Sequence, residues 1–171
     1  MTKKQIVLLS TGGTIEKTYD ALQGVLANRV SVLDVMLARL ELRGVALRRV
    51  ALMNKDSLEM DEADHDLIAE WVHKEARASD GVVVVHGTDR LAKSGERILE
   101  RGRPPVPVVL TGAMRPYELR TTDALQNLTE ALLAVQFLGS GVHLAMHNQV
   151  LTFPGVVKDR EHGTFMLERS S

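Results

Sequence analysis

Short apolar runs alternate with amphipathic stretches along the whole chain. The apolar runs lie at residues 6–9, 46–53, 81–86, 106–110 and 142–146. Near-continuous β-branched runs, such as the four valines at 82–85, favour strands that are buried on both faces. The stretches between them carry apolar residues at helical spacing, which predicts helices at 31–43, 61–78, 94–101 and 121–138.

This alternation of strand and helix predicts an α/β protein. We expect a single three-layer domain with a mostly parallel, flavodoxin-like or Rossmann-like sheet and helices on both faces. Residues 15–27 break the pattern, since they are too polar and glycine-containing for a helix. They predict a hairpin or a mobile loop over the edge of the sheet. The tail from 150 to 171 carries only short apolar pieces.

Composition narrows the class of protein. The 171 residues suit one domain, 1–171, and their 44% hydrophobic and 25% charged content is typical of a folded, soluble chain. A net charge of −1 offers no global attraction to nucleic acid or to an anionic membrane. No cysteine is present, which excludes disulfides and thiolate chemistry. The apolar runs are far shorter than the ~20 residues of a membrane span, and no secretory signal is visible, so we expect a cytoplasmic protein.

Candidate chemistry follows the predicted strands. In an open parallel sheet, ligands bind beyond the carboxyl ends of the strands. Hydroxyls, glycines and a carboxylate occupy those positions, in the segments 11–14, 54–57, 87–89, 111–116 and 147–148. In a flavodoxin-like strand order the loops after the first and third strands flank the crevice, which places Thr14 opposite Thr88 and Asp89.

Two facing threonines suggest nucleophilic chemistry. A threonine hydroxyl is a poor nucleophile until a base removes its proton, and a lysine can be that base. Backbone N–H groups in glycine-rich turns can stabilise an oxyanion. Two structural interpretations stay open at this point. Thr-Gly-Gly-Thr at 11–14 is also typical of a tight turn after a strand, and Thr88 or Asp89 could be the N-cap of a helix.

Three motifs resemble signatures of the bacterial-type L-asparaginase family. Thr-Gly-Gly-Thr-Ile at 11–15 resembles the first signature, and His-Gly-Thr-Asp at 86–89 resembles the second. Gly-Ala-Met-Arg-Pro at 112–116, followed by Asp123 and Asn127, resembles the third landmark.

Two further segments extend the resemblance over nearly the whole chain. Asp56 and Ser57, with Met60, resemble the substrate-binding serine segment of the family. Val-Leu at 150–151 followed by Lys158 matches the spacing to the active-site lysine. The five motifs in order identify the chain as resembling the amino-terminal catalytic domain of these enzymes.

The resemblance implies a set of catalytic residues. Thr14 corresponds to the first nucleophile, which attacks the side-chain amide and forms an acyl-enzyme. Thr88 corresponds to the second threonine and works as a triad with Lys158, the base, and Asp89, which orients it. Tyr19 corresponds to the flap tyrosine that helps to activate the first threonine, although it lies closer to Thr14 than the family pattern places it.

The resemblance also implies how the substrate is held. Ser57 corresponds to the residue that binds the α-carboxylate, and Asp89 to the contact of the α-amino group. The backbone at Thr88 lies where the family stabilises the oxyanion, and Gly13 and Ala113 complete the expected substrate-binding set. The implied reaction converts L-asparagine to L-aspartate and ammonia without a cofactor, and glutamine would be a poorer substrate.

The chain departs from the family pattern in its length. The usual enzyme is about twice as long, and an acidic residue from the carboxy-terminal domain of a neighbouring subunit completes its site. Leu58 also stands where many relatives have a polar residue. We therefore expect hydrolysis with weak affinity. The polar ending at 166–171 favours a genuine short form over a piece of a longer protein. We expect a homo-oligomer, a dimer or a tetramer, because the missing domain would expose apolar surface.

Two other functions stay open. The first is an amino-acid-binding or regulatory module that keeps the pocket without turnover. The second is the ammonia-donating subunit of an amidotransferase, which would carry the same domain, although no partner-binding extension is visible in the sequence.

The histidines do not predict a metal site. His143 and His147 are four residues apart on a predicted strand, hence ~13 Å apart, which is too far to share an ion. His65 and His73 lie eight residues apart on an acidic helix and are expected to be solvated, and His86 is expected to be structural. We predict no metal and no cofactor.

Overall fold

The computed structural model describes residues 2–29 and 31–168, which form ten strands and four α-helices. In chain order the strands are β1 (Lys4–Gly12), β2 (Thr18–Asp20), β3 (Val25–Ala27), β4 (Val45–Lys55), β5 (Gly81–Val85), β6 (Pro107–Thr111), β7 (Gly141–Met146), β8 (Gln149–Thr152), β9 (Val156–Asp159) and β10 (Thr164–Leu167). The helices are α1 (Leu33–Leu37), α2 (Glu62–Ala76), α3 (Leu91–Glu100) and α4 (Ala124–Ala134), and 3₁₀ turns span Thr14–Glu16 and Ser57–Glu59.

The main sheet has six strands in the order β4-β1-β5-β6-β7-β8. The first five are parallel, and β8 joins the edge antiparallel to β7. Counting only the parallel strands along the chain, the order is second, first, third, fourth and fifth. This is the flavodoxin-like order that the sequence predicts, and it puts the loops after β1 and β5 side by side.

The sheet separates two hydrophobic cores. Val82 and Val84 face the core that contains residues of α2 and α3, whereas Val83 and Val85 face the core that contains residues of α1 and α4. All four valines are completely buried. The three-layer prediction is therefore confirmed, and the valine run is apolar because both of its faces are covered. The helices of the described residues are too short or too polar to cross a lipid bilayer.

One predicted helix is much shorter than expected. The amphipathic stretch 31–43 folds into α1, which has only five residues, followed by turns. Only Leu33 and Met36 within α1 are fully buried. Helices in proteins depend on packing of an apolar face more than on propensity. The residues beyond α1 bury too little surface to extend it.

Two smaller sheets lie outside the main one. Residues 15–27, expected to form a hairpin or a loop, contain the β2–β3 hairpin. The tail contains β9 and β10, which pair antiparallel with each other. Phe165 and Val156 anchor this second pair in the core beside α3. The tail therefore folds back over the main sheet, and β9 carries Lys158.

Candidate active site

The turn after β1 is built from two glycines in left-handed backbone conformations. Gly12 has φ 97° and Gly13 has φ 82°. Thr14 then begins the 3₁₀ turn. The buried Glu16 closes this turn, since its carboxylate accepts the Gly12 backbone N–H at 3.1 Å and the Ser31 hydroxyl. Burial raises the pKa of Glu16 above its usual value, although these hydrogen bonds oppose the shift.

Close backbone contacts bring three loops together. A Cβ on Gly13 would lie 2.3 Å from the Cα of Gly87, so the turns after β1 and β5 touch directly. A Cβ on Gly87 would lie 2.6 Å from the hydroxyl oxygen of Ser57, which follows β4. Thr14 and Thr88 therefore flank the same glycine contact, with Ser57 beside it. These glycines are required because any side chain would separate the loops.

Lys158 completes a cluster with the loop after β5. Its Nζ lies 2.8 Å from Thr88 Oγ1 and 2.9 Å from Asp89 Oδ1. Thr88 is buried, while Lys158 and Asp89 are partly open to solvent. Arg160 Nη1 also lies 3.1 Å from the same Asp89 oxygen, so two cations share one carboxylate oxygen. The cluster can hold a threonine hydroxyl, a lysine and a carboxylate in the geometry of an activated nucleophile.

The helix-cap interpretation of Thr88 and Asp89 is wrong. Helix α3 begins at Leu91, its N-cap is Arg90, and no side chain caps it. The Thr88 and Asp89 side chains bond to Lys158 instead. Helix α3 therefore begins three residues before the predicted stretch 94–101.

A buried chain of hydrogen-bonded polar groups supports the loop after β5. His86 Nδ1 donates to the Gly87 carbonyl at 2.8 Å, and its Nε2 lies 2.7 Å from Ser94 Oγ. Ser94 Oγ also lies 2.7 Å from His65 Nδ1. Burial lowers the pKa of His86 to about 4, and it also lowers the pKa of His65. The expectation that His86 is structural agrees with this placement. The expectation that His65 is solvated is wrong, because α2 turns it inward against α3.

An ion pair joins the turn after β1 to the serine segment. Lys17 Nζ lies 2.6 Å from Asp56 Oδ2. The Asp56 carboxylate also accepts the Leu58 backbone N–H at 3.0 Å, which caps the turn that begins at Ser57. Burial opposes ionisation of Asp56, but these hydrogen bonds and the charge of Lys158 outweigh it and hold the pKa below its usual value.

The third motif folds around a buried carboxylate. Asp123 accepts the backbone N–H groups of Met114 and Arg115, at 3.0 and 2.9 Å, and the Asn127 amide at 2.9 Å. It also bonds to His147 Nε2 at 2.7 Å. Burial disfavours the charged form of Asp123, yet the donors outweigh burial and keep its pKa below the usual range. This carboxylate therefore fixes the loop after β6.

The predicted site residues differ in their exposure. Thr14, Asp89 and Lys158 are partly open to solvent, and Tyr19 is exposed. The remaining predicted residues are buried, namely Gly13, Ser57, Thr88 and Ala113. Ala113 is completely buried and packs in the core. Its expected contact with a substrate stays a prediction, because Ala113 has no exposed surface that a substrate could touch.

Tyr19 lies apart from the cluster. Tyr19 is 58% exposed on the β2–β3 hairpin, and its backbone N–H donates to Glu118 at 3.0 Å. Within the described residues, its hydroxyl makes no hydrogen bond to Thr14. The expected role of Tyr19 stays a prediction that would need the hairpin to move.

Sequence reasoning missed Glu16 and Arg160. Nothing in the pattern marks Glu16, since a carboxylate in a polar stretch is normally exposed. Arg160 had a weak signal, because it is a basic residue two positions after Lys158, directly beyond the end of β9. As for metals, the part of the chain that the structure describes brings together no three His, Asp or Glu side chains suited to an ion.

A family model described as "Asparaginase, N-terminal" matches residues 5–166. The chain belongs to this family. The matched region contains all four of Thr14, Thr88, Asp89 and Lys158, and it begins and ends close to the limits of the described fold.

The curated relatives are named as amidotransferase subunits and not as asparaginases. A glutamyl-tRNA(Gln) amidotransferase subunit of Haloquadratum walsbyi is 37% identical over 144 residues, covering 83% of this chain and 33% of the relative. The protein of the same name from Methanobrevibacter smithii is 31% identical over 151 residues, covering 87% of this chain and 35% of the relative. The chain thus spans about a third of these relatives.

Two solved structures with the same fold are L-asparaginases by name. The thermostable L-asparaginase from Thermococcus kodakarensis superposes with a TM-score of 0.86 at 28% identity, covering 95% of this chain and 51% of that one. The probable cytoplasmic L-asparaginase from Campylobacter jejuni gives 0.79 at 28% identity, covering 95% and 52%. The chain therefore corresponds to about half of each enzyme.

Proposed function

We propose that this protein is an amidohydrolase that converts L-asparagine to L-aspartate and ammonia. The observation that carries the proposal is the contact of Lys158 Nζ with both Thr88 Oγ1 and Asp89 Oδ1, beside the Gly13–Gly87 contact. A lysine held against a buried hydroxyl is suited to move that hydroxyl's proton once the lysine is neutral. Membership of the asparaginase family and the likeness to two L-asparaginases support the same reaction.

The proposed chemistry proceeds through an acyl-enzyme. The Thr14 hydroxyl attacks the carbon of the side-chain amide, and its proton leaves through the Thr88–Lys158 pair. The tetrahedral intermediate collapses, the amide nitrogen takes up a proton, and ammonia leaves. Water then attacks the threonine ester and releases aspartate. Backbone N–H groups of the glycine-rich turns are suited to stabilise the oxyanion in both steps.

Substrate binding is proposed to involve Ser57 and Asp89. Ser57 is buried beside Gly87, and the proposal gives its hydroxyl the role of donor to the α-carboxylate. Asp89 is partly open and suits an ammonium group, but it already carries Lys158 and Arg160. Weak affinity for a zwitterionic amino acid follows, because a third cation must share this carboxylate.

The direct test is ammonia release by the purified chain with L-asparagine, D-asparagine and L-glutamine. Thr14→Ala and Thr88→Ala are measured alongside. We expect turnover of L-asparagine at high substrate concentration and its loss in both variants. No release from the wild type at any concentration would reject the proposal. Protection of the fold against heat by asparagine, without turnover, would instead indicate an amino-acid-binding module.

A second candidate is amide hydrolysis in the service of a partner subunit. The name shared by the curated relatives, an amidotransferase subunit, favours this alternative. The isolated chain would then turn over slowly, and a co-purifying partner would raise its rate. An unchanged rate in the presence of every co-purifying protein would argue for an independent hydrolase.

Self-association and a cytoplasmic location complete the proposal. An apolar groove of about 350 Å³ lies between α4 and β8. Phe137 and Leu133 at its rim are 79% and 57% exposed, which is unusual for such side chains. Sedimentation of the wild type and of Phe137→Ser tests whether copies meet here. The likeness to a probable cytoplasmic enzyme supports the location.

A further inference from the structure

Lys158 reaches Thr88 from a hairpin that stands outside the main sheet. Among the described residues, β9 and β10 form a ladder only with each other. Lys158 pairs with Phe165 in that ladder. Main-chain hydrogen bonds of the large sheet therefore do not fix the position of Lys158 relative to Thr88, and other contacts must do so.

Two side chains, one in the turn before β8 and one at the first residue of β8, tie β10 to the main sheet. His147 Nδ1 lies 3.0 Å from Thr164 Oγ1. Gln149 Nε2 donates to Thr164 Oγ1 at 3.0 Å and to the carbonyl of Phe165 at 2.9 Å. Since Phe165 is the strand partner of Lys158, these contacts hold β10 next to the position that faces Lys158.

The charge of Asp123 orders the protons along this connection. A carboxylate only accepts, so His147 with one ring proton carries it on Nε2 and donates it to Asp123. His147 Nδ1 is then an acceptor and takes the hydroxyl proton of Thr164. The Gln149 amide donates to the oxygen of the same hydroxyl, which leaves its proton free for His147. Every donor in this chain meets an acceptor.

The backbone of His147 is itself held in an uncommon conformation. His147 and Asn148 have φ of 55° and 59°, and they form the two-residue turn between β7 and β8. The His147 N–H donates to Asn127 Oδ1 at 3.1 Å, and the Asn148 N–H bonds to the Glu130 carboxylate. A left-handed residue other than glycine persists where its surroundings over-determine it. The backbone of this turn is therefore held rigidly, and it fixes the position of the imidazole.

We propose that Asp123, His147 and Thr164 form a positioning chain that holds the β9–β10 hairpin, and with it Lys158, at bonding distance from Thr88. They are positioning residues that act through Lys158. The expected effect on turnover rests on the proposed amide hydrolysis. The expected effect on the placement of Lys158 does not, so the two can fail separately.

The chain offers a matched control for this inference. His143 Nδ1 lies 3.0 Å from Thr152 Oγ1, the same kind of bond at the same length as that of His147 with Thr164. His143 and Thr152 are neighbours on β7 and β8, so their bond stays within the main sheet. Thr→Val keeps the shape of the side chain and removes the hydroxyl in both places.

The experiment compares Thr164→Val, Thr164→Ser and Thr152→Val by crystal structure and steady-state kinetics. In Thr164→Val we expect Lys158 Nζ to move out of hydrogen-bonding distance of Thr88 Oγ1. We expect kcat to fall about tenfold, with KM changed less than about twofold, because a misplaced base slows the reaction without weakening binding. Thr164→Ser restores both, and Thr152→Val matches the wild type. The melting temperature of Thr164→Val should fall somewhat more than that of Thr152→Val, because Thr164 Oγ1 also accepts from Gln149.

Several results would overturn the inference. An unchanged Lys158–Thr88 contact in crystals of Thr164→Val would do so, and so would an equal loss of kcat in Thr152→Val. Turnover lost in Thr164→Val but kept in Thr88→Val would make Thr164 the reacting hydroxyl. If the wild type hydrolyses no amide, the proposed function fails. The crystal structures still decide whether Thr164 fixes the position of Lys158 relative to Thr88. If Thr164→Val does not fold, His147→Asn removes the same bond with a residue that tolerates the left-handed backbone.

Discussion

Lys158 Nζ lies 2.8 Å from Thr88 Oγ1, although 70 residues separate the two in the chain. The contact joins the β9–β10 hairpin to the loop after β5, and Asp89 binds the same ammonium group at 2.9 Å. Proton transfer in the proposed reaction therefore depends on how this hairpin meets this loop.

Lys158→Met should abolish most amide hydrolysis and leave the fold intact. Methionine keeps much of the length of the stem but cannot accept a proton, so we expect kcat to fall about 10³-fold. The melting temperature should change little, because the lysine is partly open to solvent. Lys93→Met is the matched control, since Lys93 forms an ion pair with Glu62 on the surface. Equal activity in both variants would contradict a base at Lys158.

Arg160→Ala should improve binding of asparagine. Arg160 lies 3.1 Å from the Asp89 oxygen that Lys158 also binds, so its removal frees the carboxylate for the substrate ammonium group. We expect KM to fall about threefold with kcat unchanged, the size of one exposed ion pair. A higher KM would show the reverse, that Arg160 holds a substrate carboxylate.

Gly13→Ala should damage the protein far more than Gly24→Ala. Both glycines have positive φ, 82° and 67°, so both substitutions strain the backbone. The strain is larger at Gly13, since its ψ of −176° puts it in a region that is essentially open to glycine alone. A Cβ on Gly24 meets nothing within 4 Å, whereas one on Gly13 lies 2.3 Å from Gly87 Cα. We therefore expect a loss of ~1 kcal/mol in the free energy of unfolding for Gly24→Ala and at least ~3 kcal/mol for Gly13→Ala.

Denaturant titrations of both variants measure this difference. Gly13→Ala should also lose turnover, because it parts the loops that carry Thr14 and Thr88. Equal losses of stability in the two variants would mean that the backbone contact between the loops is not tight in solution.

Stability should fall as the pH drops from 7 to 5. The unfolded chain binds a proton at His86 near pH 6.5, whereas burial holds the folded pKa at about 4. The unfolded state therefore binds more protons between these values, and stability present above pH 6.5 is lost as the pH falls towards 4. At pH 5 the loss is about 2 kcal/mol. The lowered pKa of His65 acts in the same direction.

Free energies of unfolding at pH 7 and pH 5 measure this effect. His86→Gln should be less stable at pH 7 but much less dependent on pH. His162→Gln is the control, because His162 is exposed and bonds to Asp159 near the surface. If the wild type is equally stable at pH 7 and pH 5, His86 binds its proton in the folded state, which contradicts the prediction.

The sequence determined the architecture of the protein because buried strands and helices require apolar residues at characteristic spacings. A valine run such as 82–85 is stable only between two covered faces, and the alternation with helices then leaves a parallel sheet as the natural solution. The motifs at 11–14 and 86–89 could be placed at one edge for the same reason. Parallel strands end together, and the flavodoxin-like order sets the two loops side by side.

Only the tertiary structure decided how the remaining groups meet. The sequence predicts that His65 is exposed on an acidic helix, yet it lies buried against Ser94, because the packing of α2 on α3 sets which face is inside. The five-residue α1 was likewise decided by packing. Arg160 and the Asp123–His147–Thr164 chain come from segments that are distant along the sequence. Their contacts depend on distances across the fold, which local patterns of hydrophobic and polar residues do not encode.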